Sequence, residues 1–160
     1  MAKVRQSVAH VGARVAGPAD EAALAPWTTP AERAVFASMH PADRRHGLEV
    51  VERLRASGVT DRAVLVAGLL HDAGKERAGL VARVVHALGE RYGPWVWRLA
   101  ATLPGLGAEL GRLRAHPELS ARLAAAAGCP ARTVELIRHQ ADPVDEAGRL
   151  LLAADEATGR

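Results

Sequence analysis

The chain has 160 residues and a mass of 16.9 kDa, with 49% hydrophobic residues and a formal net charge of +3. That length suits one domain with a core of its own, and that apolar content excludes a disordered chain. No apolar run approaches the ~20 residues that cross a bilayer, and one cysteine, Cys129, excludes both an internal disulfide and a thiolate metal cluster. A pI of 9.7 suits an anionic ligand without demanding nucleic acid.

The first segment, "MAKVRQSVAHVGARVAG", is basic and acid-free but lacks the compact apolar core of a secretory signal, which points to a cytoplasmic protein. Val4, Val8, Val11 and Val15 recur at helical spacing, so residues 3–16 are predicted as a helix within an N-terminal extension over 1–28. Further on, six of the nine prolines sit where a helix can begin: Pro30, Pro41, Pro94, Pro117, Pro130 and Pro143. The missing N–H of proline costs nothing at that position. Thr29-Pro30-Ala31-Glu32 predicts a capping box, and Asp142 a cap before Pro143. Between these marks the apolar period is near 3.6, and no segment alternates as a strand does. Helices are predicted near 30–39, 41–56, 61–73, 79–91, 94–102, 106–114, 117–127, 130–140 and 143–157. The fold class is therefore all-α, a compact bundle of about eight to ten helices in a single domain over 1–160, with its core over 30–157. "AVLVAGLL", residues 63–70, is apolar on every side and marks the buried central helix.

Several of these helices place a ligand-type side chain on an apolar face. His46 precedes Val50 and Leu54 at helical spacing, Asp155 continues the face of Leu151 and Leu152, and His139 follows Leu136 by three. His71-Asp72 ends the all-apolar helix. A buried imidazole or carboxylate needs a partner or costs several kcal/mol. One such histidine is ordinarily a satisfied core residue; the set is what matters. His46, His71-Asp72, His116, His139 and Asp155 together suit a transition metal such as Fe, Mn, Co, Ni or Zn better than Mg or Ca. His10, His40 and His86 read as ordinary residues, His40 as a cap before Pro41. Lysine occurs only at Lys3 and Lys75 in a chain with 21 basic residues, and Lys75 follows the His71-Asp72 pair by three.

The ordered set resembles the HD superfamily of metal-dependent phosphohydrolases, named for its His-Asp pair. "RRHGLEVVERL" is similar to the helix with the first ligand, and "LLHDAGK" to the central motif. "AHPELSARLAAAAG", "VELIRHQ" and "LLLAAD" are similar to the segments with the third histidine, the fourth histidine and the closing aspartate. The resemblance implies a mononuclear set of His46, His71, Asp72 and Asp155. His116 and His139 match the extra ligands of members that hold two ions, with Asp72 as the bridge, a set similar to that of the bacterial diadenosine tetraphosphate hydrolases. Gln140 stands where the cyclic-di-GMP phosphodiesterase branch has a second consecutive histidine, and the Gly-Tyr-Pro signature of that branch is absent. The ppGpp hydrolases have no counterparts of His116 and His139. Both branches lose weight accordingly.

The resemblance implies a metal-dependent phosphohydrolase acting on a nucleotide or other small phosphoester, with two ions per chain, Fe or Mn first and Zn, Ni or Co as alternatives. The ions would lower the pKa of a shared water and neutralise phosphate charge. Asp72 would bridge and orient, and Lys75 would meet a phosphate oxygen as a point charge. His116, before Pro117, would cap its helix and bring the positive helix end to the site. Arg44, Arg45 and Arg138 flank ligand positions as further phosphate contacts, whereas Tyr92, Trp95 and Trp97 read as half-buried core aromatics rather than base-stacking groups. Two other classes compete: a nucleic-acid-processing or RNA-binding protein, encouraged only by the pI, and a non-catalytic HD signalling module, disfavoured by the full ligand set.

Overall fold

Prolines and short polar caps set the helix starts. Thr29 and Glu32 exchange hydrogen bonds in a capping box that opens α1 (Pro30–Ser38), and the His40 ring accepts the Ala42 N–H at the start of α2 (Pro41–Ala56). Asp61 caps α3 (Arg62–Leu70) through the Ala63 N–H. The computed structural model describes residues 22–75, 92–100, 102 and 115–158. A 3-10 turn (Ala73–Lys75), α4 (Trp95–Ala100), α5 (His116–Ala126), α6 (Ala131–Arg138) and α7 (Glu146–Thr158) complete it, so the described residues are all-helical, with no strand among them. The predicted helices over 3–16, 79–91 and 106–114, and with them His10 and His86, lie outside the described residues.

Every residue of α3 from Val64 to Leu70 is buried, as its uninterrupted apolar run requires. α1, α2, α6 and α7 all pack on it, while α5 packs on α6 and on the 3-10 turn. Phe36, Val50, Leu54, Ile137 and Leu151 close one apolar cluster around it, each at most 1% exposed. Cutting one such leucine to alanine typically costs about 2–5 kcal/mol. α2 comes so close to α3 that a Cβ at Gly47 would stand 2.6 Å from the Leu69 carbonyl oxygen. The glycine after His46 therefore sets how near that histidine lies to the end of α3.

Four local expectations are corrected. The central helix stops at Leu70, and His71 and Asp72 sit in a turn rather than in helix. α6 ends at Arg138, which leaves His139 as its C-cap. α7 begins at Glu146, and its first-turn Gly148 N–H is received by Asp145 at 2.9 Å, in place of a cap by Asp142. Tyr92 and Trp95 are 62% and 60% exposed, not half-buried in the core.

Candidate metal centre

The site is assembled from the middle of α2, the turn after α3, the start of α5 and the last turns of α7. His46 Nε2 lies 2.7 Å from Asp155 Oδ1, and His71 Nε2 lies 3.4 Å from the same oxygen. The two rings meet edge to face, with centroids 5.2 Å apart. One ligand atom each from His46, His71 and Asp155 falls within a 4.8 Å cluster. Asp72 adjoins it, with Oδ1 3.5 Å from His71 Nε2 and Oδ2 4.0 Å from His46 Nε2.

The far nitrogens of both rings are tied down. His71 Nδ1 is 2.9 Å from the Gly68 carbonyl, an acceptor only, so that nitrogen carries the proton and Nε2 presents its lone pair. On His46, Nδ1 is 3.3 Å from the Thr158 hydroxyl, which itself reaches the carbonyls of Ala154 and Asp155. A hydroxyl whose proton goes to a carbonyl accepts from Nδ1–H, which again turns the Nε2 lone pair inward. Outer partners of this kind orient metal-ligating histidines. The fully buried His71 Nε2 has no well-aligned hydrogen-bond partner, nor does Asp72 Oδ1, whose contacts are ionic. Two imidazole lone pairs facing carboxylate oxygens, with His71 and Asp72 buried and His46 and Asp155 partly so, demand a cation, a metal ion or a proton. Nitrogen and carboxylate donors in this mixture fit a divalent transition ion.

The titration of these groups expresses the same demand. Burial alone would lower the pKa of His71, but the Asp72 charge and the hydrogen bond and charge of Asp155 outweigh it and raise it to about 9, with Lys75 opposing. Burial would raise Asp72; the charges of His71, Lys75 and His116, together with the Lys75 hydrogen bond, hold it at about 2. Asp155, likewise penalised by burial, is pushed well below the carboxylate range by the facing His46 and His71, an effect that requires their inward nitrogens to carry protons.

The 3-10 turn carries the rest of the motif. Lys75 donates to Asp72 Oδ2 at 2.8 Å and lies 2.7 Å from Oδ1. The Gly74 N–H donates to the buried hydroxyl of Ser120 on α5. A Cβ on Gly74 would come within 2.6 Å of the His116 carbonyl oxygen and 2.9 Å of the Ser120 nitrogen, so only glycine permits this seat. Gln140 donates its side-chain amide to the His71 carbonyl at 3.2 Å, from a buried position.

The remaining predicted residues divide. His116 is the first residue of α5, not its cap; the N-cap is Ala115 with no side-chain bond, and the His116 ring is turned to Asp72 Oδ1 at 3.5 Å. His139 joins no part of the cluster and instead lines a small cleft with Arg132, Leu136, Pro143 and Asp145. The Arg45 guanidinium pairs with Glu49, and that of Arg138 with Glu118, each at 2.8 Å. Thr158, Ser120 and Gln140 do not stand out in the sequence as site residues. Thr158 lies three residues beyond Asp155 and Ser120 four beyond His116, so helical spacing was the available signal for both. No protein-family model, curated protein or solved structure matches the chain.

Proposed function

We propose that the protein is a metal-dependent phosphohydrolase of the HD type, acting on a nucleotide or other small phosphoester. The observation that carries this reading is the convergence of one buried and one partly buried imidazole nitrogen on Asp155 Oδ1, each ring held from behind by an outer acceptor. The resemblance of five ordered segments to HD proteins supports the reaction class. His46, His71, Asp72 and Asp155 would hold a divalent transition ion, with Fe or Mn first in order and Zn, Ni or Co as alternatives. When bound, that ion supplies Lewis acidity toward a phosphate oxygen and acidifies a water molecule.

The chain's own groups do the remainder. Asp155 and Asp72 keep their negative charge throughout the neutral range, because Asp72 is held at about 2 and Asp155 well below the carboxylate range. Asp72, held by Lys75, is the carboxylate placed to orient a nucleophilic water. Lys75 is a quarter exposed, so its ammonium can meet a phosphate oxygen from the solvent side. His116 faces Asp72 from α5, its ring nitrogen 3.5 Å from the carboxylate.

The test is a screen of nucleotides, dinucleoside polyphosphates and cyclic dinucleotides with Mn or Fe, with Asp72→Ala as the blank. Metal-dependent release of phosphate or nucleotide is expected from the wild type alone. Activity that persists in Asp72→Ala would place the chemistry elsewhere.

A further inference from the structure

A helix that ends inside a protein leaves carbonyls that need donors. α3 ends in such a place, for its C-cap, His71, is 2% exposed. In a continuing helix the His71 carbonyl would receive the N–H of Lys75, four residues on, or that of Gly74 in a 3-10 turn. Here both N–H groups go elsewhere. That of Lys75 donates to the Asp72 carbonyl at 2.9 Å, and that of Gly74 to the Ser120 hydroxyl at 2.8 Å. The His71 carbonyl instead receives the side-chain amide of Gln140 at 3.2 Å, from 69 residues away in the chain. Gln140 is itself buried, and its own N–H goes to the Ile137 carbonyl, which anchors it to the end of α6.

That His71 carbonyl belongs to the peptide joining His71 to Asp72. Consecutive side chains of a helix diverge by about 100°, yet His71 Nε2 and Asp72 Oδ1 stand 3.5 Å apart. The plane of the peptide between them sets the direction in which each side chain leaves the backbone. The His71 ring is held by its Nδ1 against the Gly68 carbonyl at 2.9 Å. Gln140 adds a hold on the peptide itself. An amide suits this place, because it donates at every pH and brings no charge toward the two carboxylates of the site.

We propose that Gln140 is a positioning residue of the metal centre, its amide holding the His71–Asp72 peptide so that both side chains stay aimed at one ion. This inference rests on the metal centre proposed for His46, His71, Asp72 and Asp155. The contact is with backbone, so Gln140 acts through the two residues it holds. It also joins the end of α6 to the end of α3 at the point where the centre is built.

The experiment is titration calorimetry with Mn(II) on the metal-free full chain, with the electron paramagnetic resonance spectrum of the bound ion and a urea titration for each protein. The proteins are wild type, Gln140→Met, Gln140→Asn and Glu32→Gln. Methionine keeps the length of the side chain without a donor, and asparagine keeps the amide but shortens its reach, so one variant remains if the other fails to fold. Glu32→Gln loosens the Arg62 pair on α1 and α3, away from the centre, and serves as a destabilised control. Both Gln140 variants should bind Mn(II) about 10- to 100-fold more weakly and show an altered zero-field splitting. Glu32→Gln should keep the wild-type affinity and spectrum. Wild-type affinity and spectrum in a folded Gln140 variant would overturn the inference and leave the metal centre standing. An equal loss of affinity in Glu32→Gln would also overturn it, since the effect would then follow stability alone. No ion in the folded wild type would overturn the inference and the metal-centre proposal together.

Discussion

Thr158 is the residue on which the histidine geometry depends most indirectly. Its hydroxyl fixes the His46 tautomer from the same helix that supplies Asp155, so ring and carboxylate are set together. Thr158→Val keeps the shape and removes the acceptor. It should weaken Mn(II) binding about 10-fold, the lower end for loss of an outer-shell partner, while Thr158→Ser should restore it. Equal affinity in Thr158→Val and wild type, by calorimetry, would remove Thr158 from the site.

Cys129 shows the opposite use of burial. Burial pushes its thiol up, and the charge of Glu32 and the hydrogen bond to it push further, to about 12, against the pull of Arg62. The folded state therefore holds a proton that the unfolded chain releases above about 9. Its contribution is complete below that pH and is lost as pH rises toward 12. The urea midpoint should fall between pH 8 and 10.5 in wild type and fall less in Cys129→Ala. Parallel curves for the two would mean that the thiol carries no such linkage. In the native state the thiol should also react slowly with a disulfide reagent and become fast only on unfolding.

At this scale the sequence was informative where a polar side chain interrupted an apolar face. His46, His71, Asp72 and Asp155 stood out because an unpartnered polar group there is costly. Gln140 and Thr158 did not, since an amide or hydroxyl at such positions looks like ordinary surface. His139 had the same pattern as His46, yet the last helical residue before it is Arg138, and its backbone turns off the Leu136 face. One-dimensional spacing does not say where a helix lets go.

Among the elements, the 3-10 turn and its contact with α5 matter most to the site. The turn brings Asp72 and Lys75 together and rests on Ser120 and the backbone of His116. Gly74→Ala would force Cβ within 2.6 Å of a carbonyl oxygen that cannot swing away. It should cost about 1–3 kcal/mol of stability by overpacking and lower metal affinity as well, because the turn must shift. Unchanged stability in a urea titration would show that the seat is looser than these distances.

α1 offers a comparison remote from the metal. Glu32, 1% exposed, completes the capping box, pairs with Arg62 on α3 and faces Cys129. Glu32→Gln leaves volume in place but weakens the bonds to Arg62 and the Thr29 N–H, and should destabilise by about 1.5–3 kcal/mol with metal affinity unaltered. A loss of metal binding in the folded variant would tie the two regions together. The capping box at Thr29 and the cap at His40 were legible in sequence, because each is closed by residues two to three apart. The end of α3 was not. "LLHDAGK" continues an apolar run without a proline, and the helix stops because the turn seats Gly74 on α5, a partner 46 residues away.

Across the whole molecule, the ligands come from α2, the turn after α3 and α7, so an ion held by them ties together segments more than 100 residues apart in sequence. All three segments pack on or extend from α3. No helix among the described residues is long and apolar enough to cross a membrane. The all-helical class followed from proline punctuation and a 3.6-residue period, signals that act locally and need no tertiary partner. Which ligands share an ion depends on tertiary packing, and that spacing alone could not settle.

Because the ion would bind the folded chain and not the unfolded one, the metal should stabilise by mass action. At a hundredfold excess over Kd the gain is about 2.7 kcal/mol, so Mn(II) should raise Tm by several degrees and a chelator should reverse the rise. Asp155→Ala should abolish the shift. A metal-independent Tm would argue against a site linking these helices.

The most direct measurement is anomalous scattering from crystals of wild-type protein grown with Mn(II) or Fe(II), recorded at the absorption edge of the metal. The account predicts a strong peak about 2.1 Å from the Nε2 atoms of His46 and His71 and close to the carboxylate of Asp155. A map with no peak there, or with its peak at His139 in the α6–α7 cleft, would contradict it.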